Sequence, residues 1–219
     1  MKGNKTLKIA WIASIVILYL FWGITELVIT PAVGGEVSEI IKETAGKLLV
    51  WALPAWLLMR RFDGEVHVPC REAFRPKRKW LAWLGGAALV MLVVHIGIRL
   101  RSGGTLLAVN PEFRLYQIVS VLCIGLGEEL FFRGWLLGAA FEGNTKREWL
   151  YVAVNAVLFL CIHFPIWIRT GVFVSYLTSL AFLQIIALSF VFSYSYLRTR
   201  SLAVPVLLHA WWDLLCFLQ

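Results

Sequence analysis

Residues 115–141 read LYQIVSVLCIGLGEELFFRGWLLGAAF. The run is long enough to cross a bilayer as a helix, which takes about 20 predominantly apolar residues. Its interior holds three charged residues, Glu128, Glu129 and Arg133. Ionisable groups at membrane depth are costly, and are functional candidates by default. This stretch reads as a membrane helix with a charged centre.

The rest of the chain suits that setting. Of 219 residues, 60% are hydrophobic and 16% charged, with mean hydropathy +0.77. Soluble domains are about half apolar and about a quarter charged, so this composition excludes a water-soluble globule and a disordered chain. Apolar segments run roughly over 8–30, 45–59, 80–100, 115–141, 149–168, 172–197 and 202–218. None alternates as a barrel strand does. Lipid admits only backbone whose hydrogen bonds are satisfied internally, so each segment is expected to be a helix. Seven spans would use about 140 residues. The expectation is therefore an all-α integral membrane protein, with residues 1–219 forming one transmembrane domain. It would be a monomeric bundle of about seven helices around a polar intramembrane cavity. The first segment follows Lys2, Lys5 and Lys8 as a signal peptide would, but its length and the lack of a small-residue cleavage site favour a retained helix. The second, interrupted by Pro54, is the weakest.

A net charge of +8 would suggest nucleic acid in a soluble protein. Here the basic residues sit at helix ends, where they set topology, and no nucleic-acid partner is expected. With the N-terminus inside, fourteen of the Lys and Arg residues fall in inner stretches, the densest being Arg71, Arg75, Lys77, Arg78 and Lys79. Lys146, Arg147, Arg198 and Arg200 lie in further inner stretches. Six fall in outer stretches: Lys42, Lys47, Arg99, Arg101, Arg114 and Arg169. A multi-pass protein of the cytoplasmic membrane with a cytoplasmic N-terminus follows. Trp80, Trp149 and Trp167 lie near predicted helix ends and are expected as interfacial anchors. Cys70, Cys123, Cys161 and Cys216 match no zinc or redox spacing and are expected as buried thiols.

Three polar elements fall on three separate segments. In the first, Glu129 and Arg133 are four apart and can pair along one helix face, which would leave Glu128 freer for chemistry. The second is Phe159-Leu-Cys-Ile-His163, and the third is His209-Ala-Trp-Trp-Asp213, whose terminal pair shares one face. Two carboxylates, two imidazoles and an Asp are what water activation needs: a base to take the proton and donors for the oxyanion. His95, Glu26 and Asn155 are the remaining intramembrane polar residues considered. They read as a core hydrogen-bonding group, a solvated group near an interface and helix-packing glue, respectively.

These residues resemble the CAAX protease and bacteriocin-processing enzyme family of intramembrane proteases, also called Abi or CPBP. The family's Glu-Glu-x-x-x-Arg is matched by Glu128, Glu129 and Arg133, followed by Gly134. Its Phe-x-x-x-His is matched by Phe159 and His163, and its His-x-x-x-Asn/Asp by His209 and Asp213. The resemblance covers roughly residues 115–216; residues 1–110 share only the character of membrane helices. It implies an intramembrane endopeptidase of glutamate type. Glu128 would be the general base, assisted by His163. His209 and Asp213 would bind the scissile carbonyl, or Asp213 would orient His209. Glu129 and Arg133 would hold the first motif in shape. Asp213 stands where the prenyl-protein proteases have Asn, which bears on a prenylated substrate more than on the fold. The substrate would be a peptide or protein at the membrane. No cofactor is expected, with zinc as the alternative: two His and a Glu can bind it, but the compact His-Glu-x-x-His signature is missing. Competing functions are a catalytically idle immunity or binding protein of the same fold, and a small proton-relaying transporter. The absence of inverted repeats argues against the last.

Overall fold

The computed structural model describes residues 4–75, 79–101, 103–104, 109–141 and 147–218. Lys2, Lys77, Arg78 and Lys146 of the charge count lie outside them. Regular structure among the described residues is helical: α1 (Lys5–Val33), α2 (36–61), α3 (Lys79–Arg101), α4 (116–140), α5 (Glu148–Cys161), α6 (Phe164–Arg169), α7 (Phe173–Thr178), α8 (Phe182–Thr199) and α9 (Ala203–Leu218). Three helices, Lys5–Val33, Trp80–Arg101 and Glu148–Arg169, are long and apolar enough to cross a membrane. The chain is an integral membrane protein. On α3, Leu81, Leu89, Val90 and Val93 are all more than half exposed; in water such a face would be costly, and lipid removes that cost.

Local sequence sets the ends. Asn4 caps α1 by accepting the Leu7 amide at 3.0 Å. Gly34 and Gly35, at φ +62° and +80°, reverse the chain into α2, a conformation other residues adopt only with strain. Pro54 does not break α2. It begins the α-helical part just after a stretch of wide π-turns over Lys42–Ala52, where its missing amide is accommodated. The expected single helix over 172–197 is instead two, α7 and α8, parted at 179–181. The Thr178 and Ser179 hydroxyls bond back to the Val174 and Ser175 carbonyls, and Leu180 takes a left-handed φ of 61°. Such back-bonding competes with helix propagation.

Helix α4 is the hub. It packs against α2 on one side and α9 on another, with α5 and α8 against its second half. From Leu130 to Ala139 it is buried throughout. Gly125 and Gly127 make the close approaches possible. A side chain at Gly125 would meet the Val206 carbonyl at 3.0 Å, and one at Gly127 the Lys47 carbonyl at 2.9 Å. Two residues apart on a helix is about 200°, so the two glycines admit α9 and α2 on opposite faces. Glu128 follows directly. Helix α1 is fastened to α4 by Trp11 Nε1–H to the Leu136 carbonyl (2.9 Å) and Trp135 Nε1–H to Ser14 Oγ (2.8 Å), and to α5 by Tyr19 O–H to the Leu158 carbonyl.

Trp149 is exposed, as an anchor should be, but Trp167 is 6% exposed, its ring lying against Tyr176 and His163. The break after α5 turns Trp167 inward. All four cysteines are free thiols, but none is fully buried, and Cys216 is exposed.

Candidate functional site

The three polar elements meet. Glu128 is 5% exposed, and its Oε1 accepts from Lys47 Nζ at 2.7 Å. Its Oε2 is buried without a hydrogen-bond partner among the described residues and lies 3.9 Å from His209 Nε2. Glu129 pairs with Arg133 as expected, Oε1 accepting from Nη1 at 2.9 Å. The same oxygen accepts from His209 Nδ1 at 2.8 Å. Arg133 is fully buried. Its Nη2 donates to Ser189 Oγ (2.7 Å) and to the Ser189 carbonyl (3.2 Å), and its guanidinium lies 4.4 Å from the Phe159 ring centroid. His209 Nε2 is 3.6 Å from Asp213 Oδ2, and its ring stacks on Phe192, centroids 4.9 Å apart and planes 14° apart.

His163 sits at the bend between α5 and α6, where Pro165 starts the new helix. Its Nδ1 is 2.7 Å from the Phe159 carbonyl. A carbonyl can only accept, so Nδ1 carries the proton and the neutral ring keeps Nε2 as its acceptor. The spacing Phe-x-x-x-His therefore fixes the tautomer through the backbone, while the Phe159 ring packs against Arg133 and His209.

Glu128, His163 and Asp213 line one cavity of about 610 Å³. Its walls include Trp22, Trp51, Ile124, Ile162 and Ile166, and Glu36, Glu39 and Glu43 stand at its outer part. His209 is not among the lining residues, but its Nε2 lies within 4 Å of two that are, 3.9 Å from Glu128 Oε2 and 3.6 Å from Asp213 Oδ2.

Two expectations about this centre need correction. Glu128 is not left free by the Glu129–Arg133 pair, because Lys47 holds it. Lys47, expected among the outer-loop charges, is 3% exposed, with its ammonium 4.0 and 3.9 Å from the Trp22 and Trp51 ring centroids. An isolated carboxylate at this depth would be costly, and a cation on two aromatic faces offsets part of that cost. His209 has a partner at each ring nitrogen: Glu129 Oε1 at 2.8 Å from Nδ1 and Asp213 Oδ2 at 3.6 Å from Nε2. Glu26 is likewise not solvated. It is fully buried, accepting from Lys42 Nζ and Arg169 Nε at 2.7 Å each, which ties α1, α2 and α6 together. Asn155 is glue as expected, donating to the Phe132 carbonyl at 2.8 Å and accepting from Ser193 at 3.4 Å. His95 packs edge-on against Trp212.

Zinc fits this geometry poorly. Among the described residues no group of three or more His, Cys, Asp and Glu side chains is placed to hold a metal, and the Lys47 ammonium occupies Glu128 Oε1.

The structure thus defines a membrane protein with a buried cluster of acids and imidazoles that could form a catalytic site. Residues 110–215 match the family described as Type II CAAX prenyl endopeptidase Rce1-like. The matched part carries all three motifs and stops short of Lys47. No curated protein and no solved structure matches the chain.

Proposed function

We propose that the chain is an intramembrane endopeptidase in which Glu128 activates water without a metal. The observation that carries this reading is Glu128 Oε2, buried without a hydrogen-bond partner in a carboxylate that lines a cavity shared with His163 and Asp213. The rods 36–61, 116–140, 182–199 and 203–218 are read as spans alongside the three long helices, giving seven.

Water held between Glu128 Oε2 and His163 Nε2 gives its proton to Glu128 as its oxygen attacks the scissile carbonyl carbon. His209, its Nδ1–H bonded to Glu129, donates from a protonated Nε2 to the oxyanion. The C–N bond then breaks, and the leaving amine takes the proton from Glu128, which restores the carboxylate. Lys47 offsets the cost of a carboxylate charge in this apolar setting. Asp213 faces the Nε2 side of His209 and supports its positive charge. Glu129, Arg133 and Ser189 fix the imidazole from behind.

Glu128→Gln is the test. Gln keeps an oxygen for Lys47 but cannot take the proton, so cleavage of membrane-protein termini should vanish while the protein still purifies folded. Cleavage at the parent rate would refute the reading. Insensitivity of the parent enzyme to strong chelators is the companion result; loss with chelator and rescue by added zinc would transfer the chemistry to a metal.

A further inference from the structure

We propose that the peptide taken by this cavity carries a basic residue, Lys or Arg, on the side of the scissile bond facing residues 34–43, and that Glu36 and Glu43 select it. The proposal rests on the reading that chemistry occurs at Glu128, and it names the substrate class.

The charges at the cavity mouth do not balance. Lys42 Nζ bonds Glu26 (2.7 Å), Glu39 (2.6 Å) and Glu43 (3.1 Å). Arg169 bonds Glu26 (2.7 Å) and Glu39 (3.0 Å). Two cations thus serve three carboxylates. Among the described residues Glu36, exposed at the rim, accepts only from a neutral partner, Tyr116 O–H at 2.6 Å. Arg114, near Tyr116, turns its guanidinium onto the Pro111 and Phe113 carbonyls of its own loop. Lys47, the one cation among the described lining residues, is spent on Glu128. The carbonyls facing Arg114 are neutral and leave its charge in place, so the mouth keeps an excess of about one negative charge.

A second observation belongs to the same cavity. The buried Glu128 lines this same cavity and keeps one oxygen without a partner. Between mouth and centre the walls are Trp22, Trp51, Ile124 and Ile162. Apolar walls ending in an acidic rim suit an extended apolar segment with a cationic flank. A small hydrated ion would make no use of them. At the rim, electrostatic complementarity acts on selection more than on raw affinity.

The experiment separates binding from cleavage. Glu128→Gln protein is placed in nanodiscs of zwitterionic lipid. Three fluorescent peptides, sharing an apolar core and ending in Lys-Lys, Gln-Gln or Glu-Glu, are titrated by anisotropy. The basic peptide should bind about fivefold or more tighter than the neutral one at about 0.1 M salt, the gap shrinking at higher salt. Adding E36Q and E43Q should erase the preference, and E36K, at an exposed position, should reverse it. Equal affinity for all three peptides, no binding of the basic one, or a preference untouched by E36Q/E43Q would overturn the proposal. Parent protein assayed in parallel keeps the two ideas apart. Charge-selective binding without cleavage sinks the peptidase reading alone, and charge-blind cleavage sinks this proposal alone.

Discussion

Lys47 is the residue on which the proposed centre most depends, and it has a direct test. Its ammonium sits 2.7 Å from Glu128 Oε1 and between two tryptophan rings. Lys47→Met would strand a carboxylate in an apolar setting, a loss on the order of 3–5 kcal/mol by analogy with other broken buried pairs. Thermal unfolding in detergent should show a marked fall in Tm, with cleavage lost. Lys47→Met combined with Glu128→Gln removes both charges and should recover most of the Tm but none of the activity. A Lys47→Met protein that cleaves at the parent rate would remove Lys47 from the mechanism. The acids and imidazoles of the site were legible because each sits in an apolar run where a charge is anomalous. Lys47 was not. It lies near a predicted helix end, where a lysine normally marks topology, and its partner is 81 positions away. Its company is the clue: Lys42 and Lys47 flank Gly46 and precede Trp51 on one helix, an arrangement with little use in a solvated loop. The Glu129–Arg133 pair could be read from i, i+4 spacing alone, whereas the bond from His209 to Glu129 needs the α4–α9 contact that Gly125 allows.

Most helices were legible from apolar runs, since lipid leaves the backbone little choice. Their irregularities were not, because tertiary packing sets them: the wide turns of α2 and α4, the bend at His163 and the break at 179–181. Glycine contacts make this testable. Gly127→Ala would set a methyl 2.9 Å from the Lys47 carbonyl and 3.3 Å from Trp51 Cβ, whereas at Gly23 nothing lies within 4 Å. The first substitution should destabilise by about 1–3 kcal/mol through overpacking and move Glu128 off Lys47. The second should be neutral. Unfolding midpoints and cleavage rates of the two proteins check this. The loop joining α2 to α3 makes a different prediction. His67 lies between the Phe141 and Tyr196 rings, and burial, then the neighbouring Arg200, pushes its pKa down to about 4. An unfolded histidine titrates near 6.5. Between these values the unfolded chain binds the proton and the folded chain does not, so stability is fully present above about pH 6.5 and falls as the pH drops toward 4. Discounted for partial exposure, the loss should be on the order of 1–2 kcal/mol at about pH 5. Denaturation at pH 7 and pH 5 would show it, and His67→Gln should flatten the difference. An unchanged pH dependence in that variant would refute the assignment.

At the scale of the whole molecule, the two ends of the bundle differ in kind. One end gathers Lys5, Lys8, Arg60, Arg61, Arg71, Arg75, Arg198 and Arg200, and the other gathers the acidic residues 36–43 around the cavity mouth. A simple count of fourteen inner against six outer basic residues understates this asymmetry. Of the outer six, Lys42, Lys47 and Arg169 are tied into ion pairs with Glu26, Glu39, Glu43 and Glu128. The bias that holds positive residues on the cytoplasmic side is counted over Lys and Arg of the loops and helix ends, whereas Lys42 and Lys47 are buried along α2. The N-terminus is therefore predicted inside, with the mouth and its acidic rim outside. Labelling of single cysteines in a background freed of the four native ones tests this. Val37, 69% exposed beside the rim, is one position, and Arg75, on the loop at the opposite end, is the other. In intact cells an impermeant maleimide should modify the Val37→Cys protein, while the Arg75→Cys protein should react only after permeabilisation. Reaction of both from one side would sink the seven-span topology. Reversed sides would keep the seven spans but place the acidic mouth in the cytoplasm, so a basic peptide would have to reach Glu128 from within.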